Sequence, residues 1–370
     1  MAKFGIFVAL IFSLVGCTGI PLKKVKTDLY SGNFDQADLI LKECGGVSKK
    51  DRLLCYMEGG ITLYDIKAYE ESAAVLMKAS QIIKKQDLVN ISDQSSAVLI
   101  NDKVMAYKGE YCERLWVHTF LMMNFLLQYD YESALVEAKQ ALEVIDEYPG
   151  SLEHDYFTRA LIALCFENMN FPDDARIEYD KLPETIGKNN FIPEPIAQGK
   201  GELVLFIGQG YIPAKVSVDM ILPPSYTRIS IPRYAESFSP LPVTFRSDCG
   251  MDTPVQVTTD LGEVARESLD DRAAQYLTRH ALRSGTKEYI AHKVGKKNEF
   301  IEALVRVLFF ISEEADTRSW EALPGGLTLI RIRLDPGIHN LEVSSEYSET
   351  AFLNGINIHE GKRLYRSLRF

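Results

Sequence analysis

The sequence is short of the features that mark most functional classes. It has no run of basic residues, and its formal charge is -10. It therefore lacks the electrostatic footprint of a nucleic-acid protein or of a patch for anionic lipid. Its histidines, His118, His154, His280, His292, His339 and His359, show neither i, i+4 pairing nor a cysteine spacing suited to zinc, so no metal or cofactor is expected. There is no Gly-x-Ser-x-Gly elbow. Gly208-Gln209-Gly210 is followed by Tyr211-Ile212-Pro213, which cannot open a helix as a phosphate loop must, and it reads as a hairpin turn. Cys249, beside Gly250, has no local partner to mark it as a nucleophile. The chain is expected to be an interaction protein and not an enzyme.

Long apolar runs are also missing. The only sustained one, Phe4 to Val15, follows the basic Lys3 and covers about a dozen residues, against the roughly 20 that span a bilayer. It reads as a secretory signal that is removed. The run closes on Leu14-Val15-Gly16-Cys17, which resembles the bacterial lipobox at all four positions. Cleavage after residue 16 would leave Cys17 first and lipidated. Diacylation of its thiol and acylation of the new amine would give three chains, a stable anchor where one chain binds only marginally. Thr18 and Gly19 follow, with no aspartate after the cysteine. The resemblance thus implies the outer membrane, on its periplasmic face. Beyond Cys17 the cysteines are Cys44, Cys55, Cys112, Cys165 and Cys249. Their number is odd, so at least one thiol stays unpaired within the monomer. Cys44 to Cys55 is one possible bridge, but spacing does not decide the connectivity.

Proline is scarce from Leu22 to Pro183, where helix-length apolar patterns alternate with short polar turns. One element recurs: a turn, an aromatic and a small residue opening the next helix. It is seen as Gly32-Asn33-Phe34-Asp35-Gln36-Ala37, Lys67-Ala68-Tyr69-Glu70-Glu71-Ser72, Tyr129-Asp130-Tyr131-Glu132-Ser133-Ala134 and Asn170-Phe171-Pro172-Asp173-Asp174-Ala175. The small residues Ala37, Ser72, Ala134 and Ala175 are 35, 62 and 41 apart, close to a helix-turn-helix period of about 34 except where Gln86 to Gly109 are inserted. Gly60, Ala79 and Ala141 are further small positions at which helices could approach closely. Residues 17–183 are therefore similar to tetratricopeptide repeats. Such solenoids present a concave surface to a peptide or partner helix.

Composition changes after Leu182. Residues 184–201, with Pro193, Pro195, Gly199 and Gly201, read as a linker. The remainder, 202–370, predicts strands at Glu202 to Ile207, Lys215 to Ile221, Tyr226 to Ile231, Val243 to Arg246 and Val255 to Thr258. It then predicts a helical insertion at about 261–314, and strands at Leu327 to Leu334, Ile338 to Ser344, Thr350 to Ile356 and Arg363 to Phe370. Asp335-Pro336-Gly337 marks a tight turn. The expected fold class is α+β: a tetratricopeptide-like α-solenoid followed by a β-rich, sandwich-like domain with a helical insertion.

Several stretches together resemble a group of bacterial lipoproteins that join tetratricopeptide-like repeats to a C-terminal β-rich domain. They are Asn101-Asp102, Tyr107-Lys108-Gly109, Glu113-Arg114, Gly201-Glu202-Leu203-Val204, Ile231-Pro232-Arg233-Tyr234, and above all Ala315-Asp316-Thr317-Arg318-Ser319-Trp320 with Leu323-Pro324. The resemblance departs at Gly325-Gly326, where members usually carry a longer apolar residue. It implies envelope partners, among them a small lipoprotein of the penicillin-binding-protein-activator kind. The expected function is that of a membrane-anchored periplasmic scaffold. The alternatives are a peptidoglycan- or glycan-binding protein and a pilotin-like assembly factor for an outer-membrane component.

Two groups of candidate partner-binding or structural residues follow. Asp102, Tyr107, Glu113 and Arg114 could form a polar site, although an ion pair tying the insertion to the repeats is the more common use of such residues. In Asp316, Arg318 and Trp320, an arginine could clamp a carboxylate and a tryptophan could stack on a sugar. Capping and packing at the helix-to-strand junction is the preferred reading of that trio.

Overall fold

The computed structural model describes residues 22–30, 37–89, 103, 105–183, 196, 198–222, 227–236, 239–247, 254–272, 278, 284–286, 288–293, 299–346 and 350–370. Cys17, Asp102 and Cys249 lie outside the described residues, as do the first copy of the recurring turn and most of 184–197.

The N-terminal half is helical: α1 Leu22–Tyr30, α2 Ala37–Gly46, α3 Arg52–Asp65, α4 Tyr69–Val89, α5 Tyr111–Leu127, α6 Tyr131–Glu147, α7 Tyr156–Asn168 and α8 Pro172–Asp180. Helices α3 and α4, α5 and α6, and α7 and α8 pack as successive pairs. The three described copies of the recurring element are the turns within these pairs, and they share one geometry. Lys67, Tyr129 and Asn170 all take positive φ, at 67°, 62° and 59°. The next residue's N–H reaches back to the carbonyl five residues earlier: Ala68 to Leu63, Asp130 to Phe125 and Phe171 to Phe166, each at 2.9 Å. This is the Schellman arrangement, which satisfies carbonyls the helix end leaves open. The following helix then starts on its own signal. Asp130 accepts from the Ser133 N–H at 3.1 Å, and Pro172 occupies the first turn of α8.

The small residues that follow these turns are buried where helices meet. Ala134, Ala141, Ala175 and Ala79 are wholly inaccessible. Ser72 donates to the Gly60 carbonyl at 2.8 Å and accepts from Asn124 Nδ2 at 2.8 Å, tying α3, α4 and α5 together. A disulfide between Cys44 and Cys55 joins α2 to α3.

The C-terminal half holds β1 Gly201–Gln209, β2 Lys215–Leu222, β3 Thr227–Tyr234, β4 Val243–Ser247, β5 Val255–Asp260, α9 Leu261–Asp271, α10 Glu299–Ser312, β6 Gly326–Leu334, β7 Gly337–Ser345, β8 Ala351–Ile358 and β9 Arg363–Arg369. The architecture is thus mixed α+β, with helices first and sheets after. Strands are arranged β5-β6-β1-β9, β2-β3 and β4-β7-β8. β1 runs antiparallel to β6 and parallel to β9. The expected hairpin turn at Gly208-Gln209-Gly210 is corrected by this pairing. β1 has no ladder with β2, and Gly210, at φ 56°, turns the chain away from the sheet. Asp335-Pro336-Gly337 likewise forms a corner, carrying the chain from the four-stranded sheet at β6 to the three-stranded one at β7. At Gly326 a Cβ would lie 2.1 Å from Pro240 Cγ, so any side chain there would force the neighbouring proline to shift.

β1 is buried on both faces, which explains its continuous apolar run. Leu203, Leu205 and Ile207 join Ile330, Ile332, Leu341, Val343, Ile356 and Ile358 in one cluster. Val204 and Phe206 face the other way, into a cluster shared with Trp116, Phe120, Phe157, Leu161 and Trp320. The helices and the four-stranded sheet therefore share one core. Each such aliphatic side chain contributes about 1.5–3 kcal/mol on burial. A strand apolar on both faces carries little register information. The buried Glu202 at its start supplies it, meeting Arg331 on β6 and Arg363 on β9.

Candidate functional site

The stretch between α10 and β6 has no regular secondary structure from 313 to 320, yet Ala315, Ser319, Trp320, Ala322 and Leu323 are buried. An extended backbone can enter a core only if its polar groups find partners. Here two glutamates of the helical half supply them. Glu58, on α3, accepts from the Glu321 N–H at 2.9 Å and the Ala322 N–H at 3.1 Å. Glu113, in the first turn of α5, accepts from the Trp320 N–H at 2.8 Å through Oε1. Its Oε2 accepts from the Glu110 N–H at 2.8 Å and from the Tyr107 hydroxyl. The Trp320 ring packs against Phe120 at a centroid distance of 6.0 Å, so it is not offered to a sugar.

Arg318 anchors the same stretch. Its guanidinium binds Asp316 at 2.6 Å, Asp51 at 2.8 Å, the Lys50 carbonyl at 3.1 Å and the Met105 carbonyl at 3.0 Å. It also lies over the Tyr107 ring, 5.3 Å from the centroid. Burial acts against the Arg318 charge, but Asp316 and Asp51 hold its pKa above the ordinary value. Two groups of sequence candidates about 200 residues apart, Tyr107 with Glu113 and Asp316 with Arg318 and Trp320, thus form a single cluster. Arg114 is not part of it. It turns to Asp87 on α4, so Glu113 and Arg114 serve different partners, as adjacent helical residues must.

The electrostatics of the cluster are divided. Glu113 has no ion pair among the described residues, and burial, aided by the neighbouring Glu110 charge, outweighs the nearby Lys215 ammonium and pushes its pKa up. Burial also opposes the charge of Glu110, but Lys215 and Arg272 outweigh it and hold that carboxyl at about 2. Glu58 is paired with Lys26 at 2.8 Å. Although burial disfavours the Lys26 ammonium, Glu58 and Glu321 keep its pKa above the ordinary value.

Residues not among the sequence's candidate site residues complete the helix-to-sheet contact. Glu167 on α7 and Glu202 on β1 hold Arg331 and Arg363. Arg331 reaches each carboxylate at 2.7 Å, and Arg363 reaches Glu202 at 2.7 Å and also Glu167. Tyr179 donates to Glu167 at 2.6 Å, and Arg331 donates to the Tyr179 oxygen at 2.9 Å. Burial works against Glu202, but the two arginines hold its pKa at about 2. The two charges of each sign balance, as a buried network requires. His118 and Glu137 meet at 2.6 Å between α5 and α6.

The reactive groups on view are quiescent. Cys112 and Cys165 are buried thiols, and burial raises both pKa values, leaving the protonated, non-nucleophilic form. Among the described residues no group of three or more His, Cys, Asp and Glu is placed to hold a metal ion. Among them also, no helix is long and apolar enough to cross a membrane. The cluster's chemistry is the capture of an extended chain through its backbone N–H groups, an arginine and a tryptophan. No protein-family model, curated protein or solved structure matches the chain.

Proposed function

We propose that the protein is a lipid-anchored envelope lipoprotein that works as a protein–protein interaction scaffold on the periplasmic face of the outer membrane. The observation that carries this reading is the docked segment. The helical half already holds an extended chain, at residues 315–324, through carboxylates aimed at backbone N–H groups. Recognition of a partner peptide elsewhere on the same helices draws on the same chemistry. We read the three helix pairs as tetratricopeptide-like because one turn geometry recurs in each. We read the two larger sheets as sandwich-like, since one apolar cluster joins their inner residues. The Cys44–Cys55 bridge favours an oxidising compartment, in keeping with the lipobox ending at Cys17.

Partners of this scaffold would be envelope proteins, including a lipoprotein of the penicillin-binding-protein-activator kind. Since 315–324 fills the helical site in cis, such partners would meet the remaining surfaces of the helices or sheets. Crosslinking in intact cells followed by purification tests the proposal. Reproducible co-purification of a defined envelope protein is expected, and repeated recovery of the chain alone would sink it. A Cys17→Ser variant is expected to leave the membrane fraction while keeping its circular dichroism. Its retention in the membrane pellet would remove the anchor from the proposal.

A further inference from the structure

A cavity of about 230 Å³ opens where the α3–α4 turn meets the ends of β1 and β9. It is smaller than the 300–1,000 Å³ usual for drug-sized ligands. Phe120, Phe206 and Leu327 form an apolar wall, and Asp65, Lys67 and Arg369 line the same space.

Asp65 and Arg369 are the unusual feature. Elsewhere in the core arginines are matched to carboxylates, as Arg318, Arg331 and Arg363 are. Arg369 has no carboxylate within ion-pair distance among the described residues. It lies 5.0 Å from the Tyr211 ring centroid, interacts with the Tyr211 hydroxyl, and makes a long 3.4 Å contact to the Ala322 carbonyl. Asp65 has no hydrogen-bond or ion-pair partner among the described residues, although the Arg369 charge is near enough to act on it. Desolvation lowers the Arg369 pKa and raises that of Asp65; Arg369 is half-buried, and Asp65 sits at the solvent-exposed rim.

The backbone is shaped to keep Arg369 in place. Gly208 is its register partner across the parallel β1–β9 pair. A Cβ on Gly208 would lie 3.0 Å from Arg369 Nη1 and 3.3 Å from Cδ. The missing side chain lets the arginine lie across β1. Nearby, Ser367 is fixed by a 2.7 Å hydrogen bond to Tyr69.

We propose that this cavity binds a free apolar α-amino acid, its carboxylate on Arg369, its ammonium on Asp65 and its side chain against Phe120, Phe206 and Leu327. A zwitterion supplies a counter-charge to both Arg369 and Asp65 in one small molecule. An arginine fork suits a carboxylate, and the aromatic wall selects an apolar side chain. The proposal stands independently of the scaffold reading.

Titration calorimetry on the purified full chain would use leucine and phenylalanine, each as both enantiomers. Two analogues of leucine would be 4-methylpentanoate, which lacks the ammonium, and isoamylamine, which lacks the carboxylate. Saturable binding of leucine or phenylalanine is expected. Each analogue should bind roughly ten- to a hundredfold more weakly, the loss of one charged hydrogen-bonding partner. Arg369→Gln and Asp65→Asn should weaken amino-acid binding to a similar degree with unchanged circular dichroism. Because the analogue comparison uses unaltered protein, a variant that fails to fold does not spoil the test. Equal binding of leucine and 4-methylpentanoate would overturn the proposal. So would the absence of binding by either amino acid in the millimolar range.

Discussion

Replacing Glu113 with alanine tests whether the 315–324 segment is held by buried carboxylates. Glu113 is wholly inaccessible and accepts from Trp320 N–H, Glu110 N–H and the Tyr107 hydroxyl. Its removal leaves three donors in a core with no acceptor. At about 1–3 kcal/mol for each unsatisfied group, the loss is about 3–9 kcal/mol. The lower end applies if the Tyr107 hydroxyl rotates to a new partner and water enters. Even that is large against the roughly 5–15 kcal/mol that stabilises a domain. Glu113→Gln keeps the shape and one acceptor and removes a buried charge that has no direct ion pair among the described residues, so its loss should be about 1–2 kcal/mol. Urea unfolding followed by circular dichroism measures both. The chain has two tryptophans, Trp116 and Trp320, and both are buried. A red shift in fluorescence at urea concentrations below the main transition would report release of the segment alone. If Glu113→Ala came within about 1 kcal/mol of the parent protein, below the penalty for even one orphaned donor, the carboxylate would not be what holds the segment.

Other outcomes follow from the same structure. Glu110 and Glu202 have folded-state pKa values held at about 2 against an ordinary 4.5. Their contribution is therefore complete above pH 4.5 and lost as pH falls toward 2, at about 3 kcal/mol each as an order of magnitude. Glu113 has a raised pKa, so its effect has the opposite sign, favouring the fold below its ordinary pKa and weakening it as pH rises through the folded value. Urea midpoints across pH 2 to 7 should show a steep acid limb that Glu202→Gln makes shallower, and an unchanged limb in that variant would contradict the network. Reducing the Cys44–Cys55 bridge, which closes a separation of 11 residues, should lower stability by about 3 kcal/mol, seen as a lower Tm in dithiothreitol. Lys67→Gly should raise stability by about 0.5–1 kcal/mol, because glycine avoids the left-handed penalty of about 1–2 kcal/mol but loses some of the gain to chain entropy. A fall in the urea midpoint would contradict the turn geometry.

Much of the local structure was legible. The turn, aromatic and small-residue pattern marks the places where Lys67, Tyr129 and Asn170 adopt positive φ, since helix ends are decided by neighbouring residues. Strand runs such as Val255 to Thr258 are equally local, set by β-branched side chains between turn residues. The small residues that let helices close on one another were visible too. At the candidate site, Tyr107, Glu113, Asp316, Arg318 and Trp320 stood out singly.

What the sequence by itself determined is therefore the order of helices and strands, the places where they start and stop, and the small positions between helices. Tertiary structure alone decided the pairings. Nothing near Gly201 says that its strand lies between β6 and the distant β9, because pairing partners far apart in sequence leave no local mark. Glu58, Glu167 and Glu202 look like ordinary surface acids in the sequence, and only the folded chain puts backbone N–H groups or arginines against them. The union of Glu113 with Trp320, and the placing of Asp65 and Arg369 in one cavity, depend likewise on helices and sheet closing over a single core. A buried charge is compatible with folding only when such distant partners arrive together.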